Sequence, residues 1–158
     1  MRHPLRLIAS ATALLLAALL AGCGISIPTD PDGTLDRVTG GELRVGASPD
    51  ADLIDTDPAT PTGPLAELVT AYAARIDADI DWTVDSEETL VGMLEAGDLD
   101  LLVGGFTDRT PWTDRAGMTR GYSGIPGADG RKIVMLVPLG ENAFLSDLER
   151  FLDAEVGS

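Results

Sequence analysis

The chain has 158 residues, with 26 acidic side chains against 11 basic ones and a formal charge of −15 at neutral pH. Such a surface repels nucleic acid and anionic lipid alike. The sole histidine, His3, and the sole cysteine, Cys23, leave little for triad, thiol–imidazole or histidine-ligated zinc chemistry.

Arg2, His3 and Arg6 open the chain, and no charge falls from Leu7 to Leu20, a stretch built mainly of Leu and Ala. A basic start, an apolar run and small residues at its end form the layout of a secretory leader, too short to span a bilayer. Leu20-Ala21-Gly22-Cys23 then resembles the lipobox of bacterial lipoproteins. The resemblance implies a lipoprotein signal peptide over 1–22, cleavage before Cys23 and acylation of that cysteine, with several acyl chains giving stable anchoring. An ordinary leader with an incidental cysteine is the plainer alternative. Cleavage removes His3, and an acylated Cys23 is neither a nucleophile nor a disulfide partner. The remainder holds 26 acidic against nine basic side chains and suffices for one domain, not two. Residues 23–40 read as the lipidated cysteine and a flexible tether, because Pro, Gly, Asp and Thr mix there without a period.

From Glu42 to Ser48 the pattern alternates, with Leu43, Val45 and Ala47 on one face, which predicts a strand. A loop rich in Asp, Pro and Thr follows; its Asp50, Asp52, Asp55 and Asp57 lack the spacing of a calcium loop and read as solvated. Pro64 suits a first helical position, and Leu65, Leu68, Val69, Tyr72 and Ile76 recur at helical spacing. Ile80, Trp82 and Val84 alternate as a second strand, with Trp82 expected in the core. Ser86 is a good N-cap, Leu90, Met93 and Leu94 make a buried stripe, and Gly97 fits the helix stop. Leu99 to Val103 and Ile133 to Val137 read as strands buried on both faces of a parallel sheet, separated by an irregular stretch from Gly104 to Gly130. Asn142 can cap a last helix whose Phe144, Leu145, Leu148, Phe151 and Leu152 share a face. This order predicts an α/β domain with a mainly parallel sheet.

Three segments carry a family likeness. They are Glu42-Leu43-Arg44-Val45-Gly46; Gly63, Glu67, Leu68, Ala73 and Ile76; and Leu90 to Asp100 followed by Gly104-Gly105-Phe106-Thr107 and Arg115. In order and spacing they resemble the first lobe of the bacterial family 3 extracellular solute-binding proteins, the polar amino-acid receptors of ABC importers. The likeness covers about residues 41–122, although Pro64, Leu65, Ala66 and Tyr72 depart from it. Pro138 to Asn142 and the helix after it resemble the segment that returns to the first lobe, while only Ser123 to Arg131 stands where a second lobe would be inserted. The resemblance implies a single periplasmic-binding-protein-like lobe over 41–153, its sheet flanked by helices, with a tail over 154–158.

Ligands of open parallel sheets sit beyond the carboxyl ends of the strands, a rim that includes Ser48, Gly105, Phe106 and Thr107. The resemblance adds that this loop, with an arginine shortly after it, holds a ligand's α-carboxylate. Arg115 is the residue carried over, since a guanidinium makes two parallel bonds to a carboxylate. It stands a few residues further from Thr107 than the family pattern; Arg109 competes, and either can pair instead with Asp108 or Asp114. Trp112 can stack on a ligand or partner, or simply cap the sheet edge. Without a second lobe, Phe106, Trp112 and Tyr122 are expected to be less covered and to invite a partner or a homodimer.

The implied function is that of a non-enzymatic lipoprotein, exported and facing the periplasm or exterior. It needs no cofactor or metal, and it presents or senses a small polar ligand such as an amino acid for a transporter permease. An accessory docking protein that has lost ligand binding is the alternative. For the anchor, Cys23→Ala is expected to abolish fatty-acid labelling in a host that processes lipoproteins and to leave the product uncleaved or soluble. Unlabelled wild-type protein would overturn the lipobox reading.

Overall fold

A computed structural model describes residues 30–57 and 60–157. The leader, Cys23 and the start of the expected tether lie outside the described residues. In chain order the elements are α1 (Thr34–Val38), β1 (Glu42–Ala47), α2 (Pro64–Arg75), β2 (Asp79–Val84), α3 (Glu87–Ala96), β3 (Leu101–Val103), β4 (Gly117–Met118), β5 (Leu136–Val137) and α4 (Asn142–Glu155). No helix among the described residues is long and apolar enough to cross a membrane.

The sheet has the order β2-β1-β3-β5-β4. β1 runs parallel to both β2 and β3, with Leu43 beside Ile80 and Val45 beside Leu101. Crossover helices α2 and α3 make this possible, because parallel neighbours need a long connection. β5 instead runs antiparallel to β3 and β4. Of the strand expected over Ile133 to Val137, only Leu136–Val137 forms a ladder strand, and its direction is reversed. The cause is the route of the chain: Ile133 already bridges Thr107 and Tyr122 at the carboxyl end of β3, so the segment must run back from there.

Both sheet faces are covered. Leu43, Val45, Ala47, Leu101 and Val103 point into the larger core with α2 and α4. Leu102 and Leu136 point the other way, into a second core with Leu90, Val91 and Leu94 of α3. Gly46 faces α3, where a Cβ would come within 2.8 Å of Leu99 Cδ1 and 3.1 Å of Leu90 Cδ2; its bare backbone sets the helix-to-sheet distance. Trp82 is only half-buried, because β2 is an edge strand.

The local helix signals act as expected at three ends. Pro64 stands in the first turn of α2, the Ser86 hydroxyl accepts from the Thr89 amide at 3.4 Å, and Gly97 closes α3 at φ 78°. The start of α4 differs. Asn142 does not cap it; Asp30 does, accepting from the amides of Ala143 at 2.6 Å and Phe144 at 3.1 Å. Glu141, just before α4, reciprocates by accepting from the amides of Asp32 at 3.0 Å and Thr34 at 2.9 Å. Each carboxylate satisfies orphan N–H groups at the positive end of the other segment's helix.

That exchange corrects the tether reading for residues 30–40. Thr34 and Val38 are buried, α1 packs on α4 and β1, and the folded unit begins before Gly41. At the other end α4 continues to Glu155, two residues into the expected tail.

Asp100 fastens these parts together. Its carboxylate is fully buried and accepts from the Arg44 amide at 3.0 Å, Arg44 Nε at 3.0 Å and Arg44 Nη2 at 2.6 Å. It also accepts from Arg37 Nη2 at 2.5 Å and Nη1 at 3.2 Å. Burial alone would raise the Asp100 pKa, but the hydrogen bonds from Arg44 and Arg37 outweigh it and hold the carboxyl below its ordinary range. Asp100→Asn is expected to lower the unfolding free energy in urea by about 3 kcal/mol, the low end for a broken buried pair because both arginines keep contact with water. Because the folded-state pKa is depressed, this contribution is complete above the ordinary carboxylate pKa and is lost as pH falls through roughly 4 and below. The gap between wild type and variant should therefore close in acid.

Candidate functional site

The carboxyl ends of β1 and β3 lead into two loops that lie against each other. The Ser48 amide donates to the Val103 carbonyl at 2.9 Å, which holds the end of β1 beside β3. Gly104 and Gly105 permit the approach: a Cβ on Gly104 would sit 2.9 Å from the Ser48 carbonyl oxygen, and one on Gly105 would collide with the Asp50 carboxylate. Ser48 is nearly buried, and Gly105 is half-buried at the rim.

Phe106 points away from the rim. Its ring is 2% exposed inside the second core, and its carbonyl accepts from the Val134 amide at 3.0 Å. It supports the loop from beneath. Thr107 returns to the surface, where its hydroxyl accepts from the Arg109 amide at 3.3 Å and its carbonyl from the Thr110 amide at 2.9 Å. The Asp108 amide donates to the Lys132 carbonyl at 3.2 Å, so the segment after β3 lies beside the one that enters β5. Between them is a cavity of about 380 Å³ lined by Thr107, Asp108, Arg109, Gly130, Arg131 and Lys132.

The charge of that lining stands out in so acidic a chain. Among the described residues, Arg37, Arg44, Arg75, Arg115, Arg120, Arg131 and Arg150 all sit in ion pairs. Arg109 and Lys132 do not, and both line this one cavity. Arg131, beside them, grips Asp50 with Nη1 at 2.8 Å and Nη2 at 3.3 Å while Nε and Nη2 reach the Ala128 and Gly127 carbonyls at 3.1 Å each. The Arg131 hydrogen bond, with its nearby charge, lowers the Asp50 pKa despite partial burial, and the same contact raises that of Arg131.

Arg115 is not part of this group. It lies at the opposite end of the sheet, where α3 finishes, with both Nε and Nη2 on the Glu95 carboxylate and its guanidinium 5.3 Å from the centre of the Trp112 ring. Its partner is an acid, as the competing reading of the sequence allowed, but neither Asp108 nor Asp114. The loop from Thr107 to Arg115 runs past the second core, against which Trp112 packs, and ends with Arg115 at the far end of the sheet. A larger concavity of about 660 Å³ also lies at that amino end, but its arginines, Arg37 and Arg44, are committed to Asp100.

The expected face of open aromatics does not exist. Tyr122 is 1% exposed; its hydroxyl donates to the Glu149 carbonyl at 3.3 Å and Asp153 Oδ1 at 3.1 Å, and burial followed by the Asp153 carboxylate pushes its pKa up to about 12. Trp112 is half-buried at the edge of the second core. The segment from Ser123 to Arg131 packs against the domain, with Ile125 and Ala128 buried in the larger core. Three residues of the rim escaped the sequence reading: Asp50, Arg131 and Lys132. The available signal was Arg131-Lys132, the one place where two basic side chains adjoin.

No protein-family model and no curated protein sequence matches this chain. Solved structures do match its fold. A mutant of the arginine-bound form of domain 1 from TmArgBP aligns with a TM-score of 0.66 at 18% identity, covering 76% of this chain and 96% of that one. An ancestral arginine-binding protein bound to arginine gives 0.60 at 10% identity, over 75% and 93%. A Salmonella typhimurium periplasmic binding protein described by its high arginine specificity gives 0.59 at 12%, over 74% and 94%. At these identities the likeness is one of fold: a single α/β lobe of the periplasmic-binding-protein type.

The separation of Arg115 from the rim can be checked directly. Arg115→Ala is expected to shift the Trp112 indole N–H resonance while leaving the amide resonances of Gly105 and Thr107 in place. Movement of both rim amides would show that Arg115 reaches the rim.

Proposed function

We propose that the chain is an exported, envelope-anchored, one-lobed binding protein for small polar solutes that carry a carboxylate, amino acids fitting best. The observation that carries this reading is the placement of Arg109 and Lys132. In a chain with a large acidic excess, the two cations left without an ion-pair partner among the described residues converge on one cavity at the carboxyl rim. A cation on an acidic surface is normally neutralised by a neighbour; two left open together serve an anion from outside.

Thr107 contributes a hydroxyl and main-chain groups to the lining, while Ser48 and Gly105 stand beside it at the ends of β1 and β3 and Phe106 is buried beneath the loop. One lobe can suffice: domain 1 of TmArgBP has been solved in an arginine-bound form. The anchor is Cys23, and the bound solute would be offered to a transporter permease at the membrane. This reading invokes no catalytic step, and residues 30–157 hold no histidine or cysteine for triad or thiol–imidazole chemistry.

A ligand held by one lobe keeps a face in water, so dissociation constants of roughly micromolar to millimolar are expected. Calorimetry over an amino-acid panel should find binding in that range. The double variant Arg109→Ala/Lys132→Ala should weaken it at least about tenfold, a loss of about 1.4 kcal/mol from two exposed charge contacts. Binding untouched by the double variant would sink the site, and no binding by any member would sink the function.

A further inference from the structure

Arg131 lines the rim cavity, and its pairing with Asp50, which stands beside that lining, has a consequence for the kind of solute that fits. Asp50 stands at the carboxyl end of β1, pressed against Gly105, where a carboxylate could receive the cationic group of a ligand. It is already occupied. Arg131 covers both of its oxygens, at 2.8 and 3.3 Å, and the Asp52 amide approaches Oδ1 at 3.4 Å. The guanidinium is fixed from behind by the Gly127 and Ala128 carbonyls. Gly127 itself lies so close to the Asp52 carbonyl that no Cβ fits there, which locks the loop bearing Arg131 onto the loop bearing Asp50. The Asp50 carboxylate is thus engaged by the chain's own guanidinium and is not open to a cationic ligand.

With Asp50 neutralised, the open charges of the lining are Arg109 and Lys132 against Asp108 alone. A cationic ligand would meet a positive surplus and no unengaged carboxylate but Asp108. A ligand with two carboxylates could set one on each free cation. We infer that the Asp50–Arg131 pair makes the rim cavity selective for acidic solutes, dicarboxylates or acidic amino acids, and turns basic ones away. This rests on the rim cavity being the binding site and adds the charge class of its ligand.

Calorimetric titration of the purified protein with L-glutamate and with L-arginine tests it. Wild type is expected to bind glutamate about tenfold or more tighter than arginine, as two charge contacts won or lost would require. Arg131→Ala uncovers Asp50, so arginine should gain and glutamate should lose. Asp50→Asn frees the Arg131 guanidinium, so glutamate should gain, by about threefold or more for one added exposed contact. The opposite signs guard against misfolding, which would abolish both ligands in whichever variant failed, leaving the other to decide. Wild type preferring arginine, or the two folded variants shifting glutamate affinity in the same direction, would overturn the inference while leaving the rim site standing. Absence of binding by wild type and both variants would overturn the site itself.

Discussion

A charged carboxylate with no access to water is tolerable only when its acceptor sites are met, and Asp100 meets them with one amide and two guanidinium groups. The geometry does more than neutralise a charge. Arg37 belongs to α1, Arg44 to β1, and Asp100 itself to the turn that delivers β3. Arg44 also donates from Nη1 to the Gly97 carbonyl at 2.7 Å, so the end of α3 is drawn to the same point. Four elements thereby share one fixed reference at the amino end of the sheet. The parallel register of β1 with β3 is set there, and the loops at the carboxyl end inherit their positions from it.

Electrostatics organises the remaining contacts in the same way. Arg75 and Arg150 meet on Asp147, where the Tyr72 hydroxyl also donates at 3.2 Å, joining α2 to α4. Arg120 spans Glu149 and Asp153, tying the segment after β4 to α4. Apart from Arg150, which pairs within α4, each paired cation joins segments distant in sequence. Against that background two cations without partners are an exception that asks for a cause outside the chain. The rim cavity provides the place where such a cause could act.

Much of the fold could be read from periodicity and punctuation. Leu43, Val45 and Ala47 alternate because β1 buries that face, and Pro64, Ser86 and Gly97 mark helix ends through local backbone chemistry that needs no partner. What could not be read has a common origin in long-range pairing. Asp30 looks like a loop residue until Ala143 arrives more than a hundred positions later, and Arg37 looks like a tether charge until Asp100 closes on it. The site divided along the same line. Ser48, Gly105 and Thr107 follow from the rule that parallel strands open at their carboxyl ends. Arg115 was carried over from a family pattern whose spacing it already exceeded, and it pairs with Glu95 on the far side of the sheet. Arg131 and Lys132 reach the rim only because β5 enters from there, and the reversed direction of β5 was invisible in an apolar run that reads alike both ways.

The segment from Ser123 to Arg131 bears on how the proposed rim site would work in a single lobe. In a two-lobed receptor, water is excluded when the second lobe swings over the ligand. Here Ile125 and Ala128 are sunk in the larger core, and Arg131 is bonded to Asp50 and to two carbonyls of its own turn, so the segment behaves as part of the wall. The rim is thus assembled before any solute arrives. Little conformational entropy remains to be lost there on binding, but little surface can be buried either. On the proposed reading, recognition there would depend on fixed charges meeting a charged ligand, with the balance of those charges set by which acid Arg131 covers.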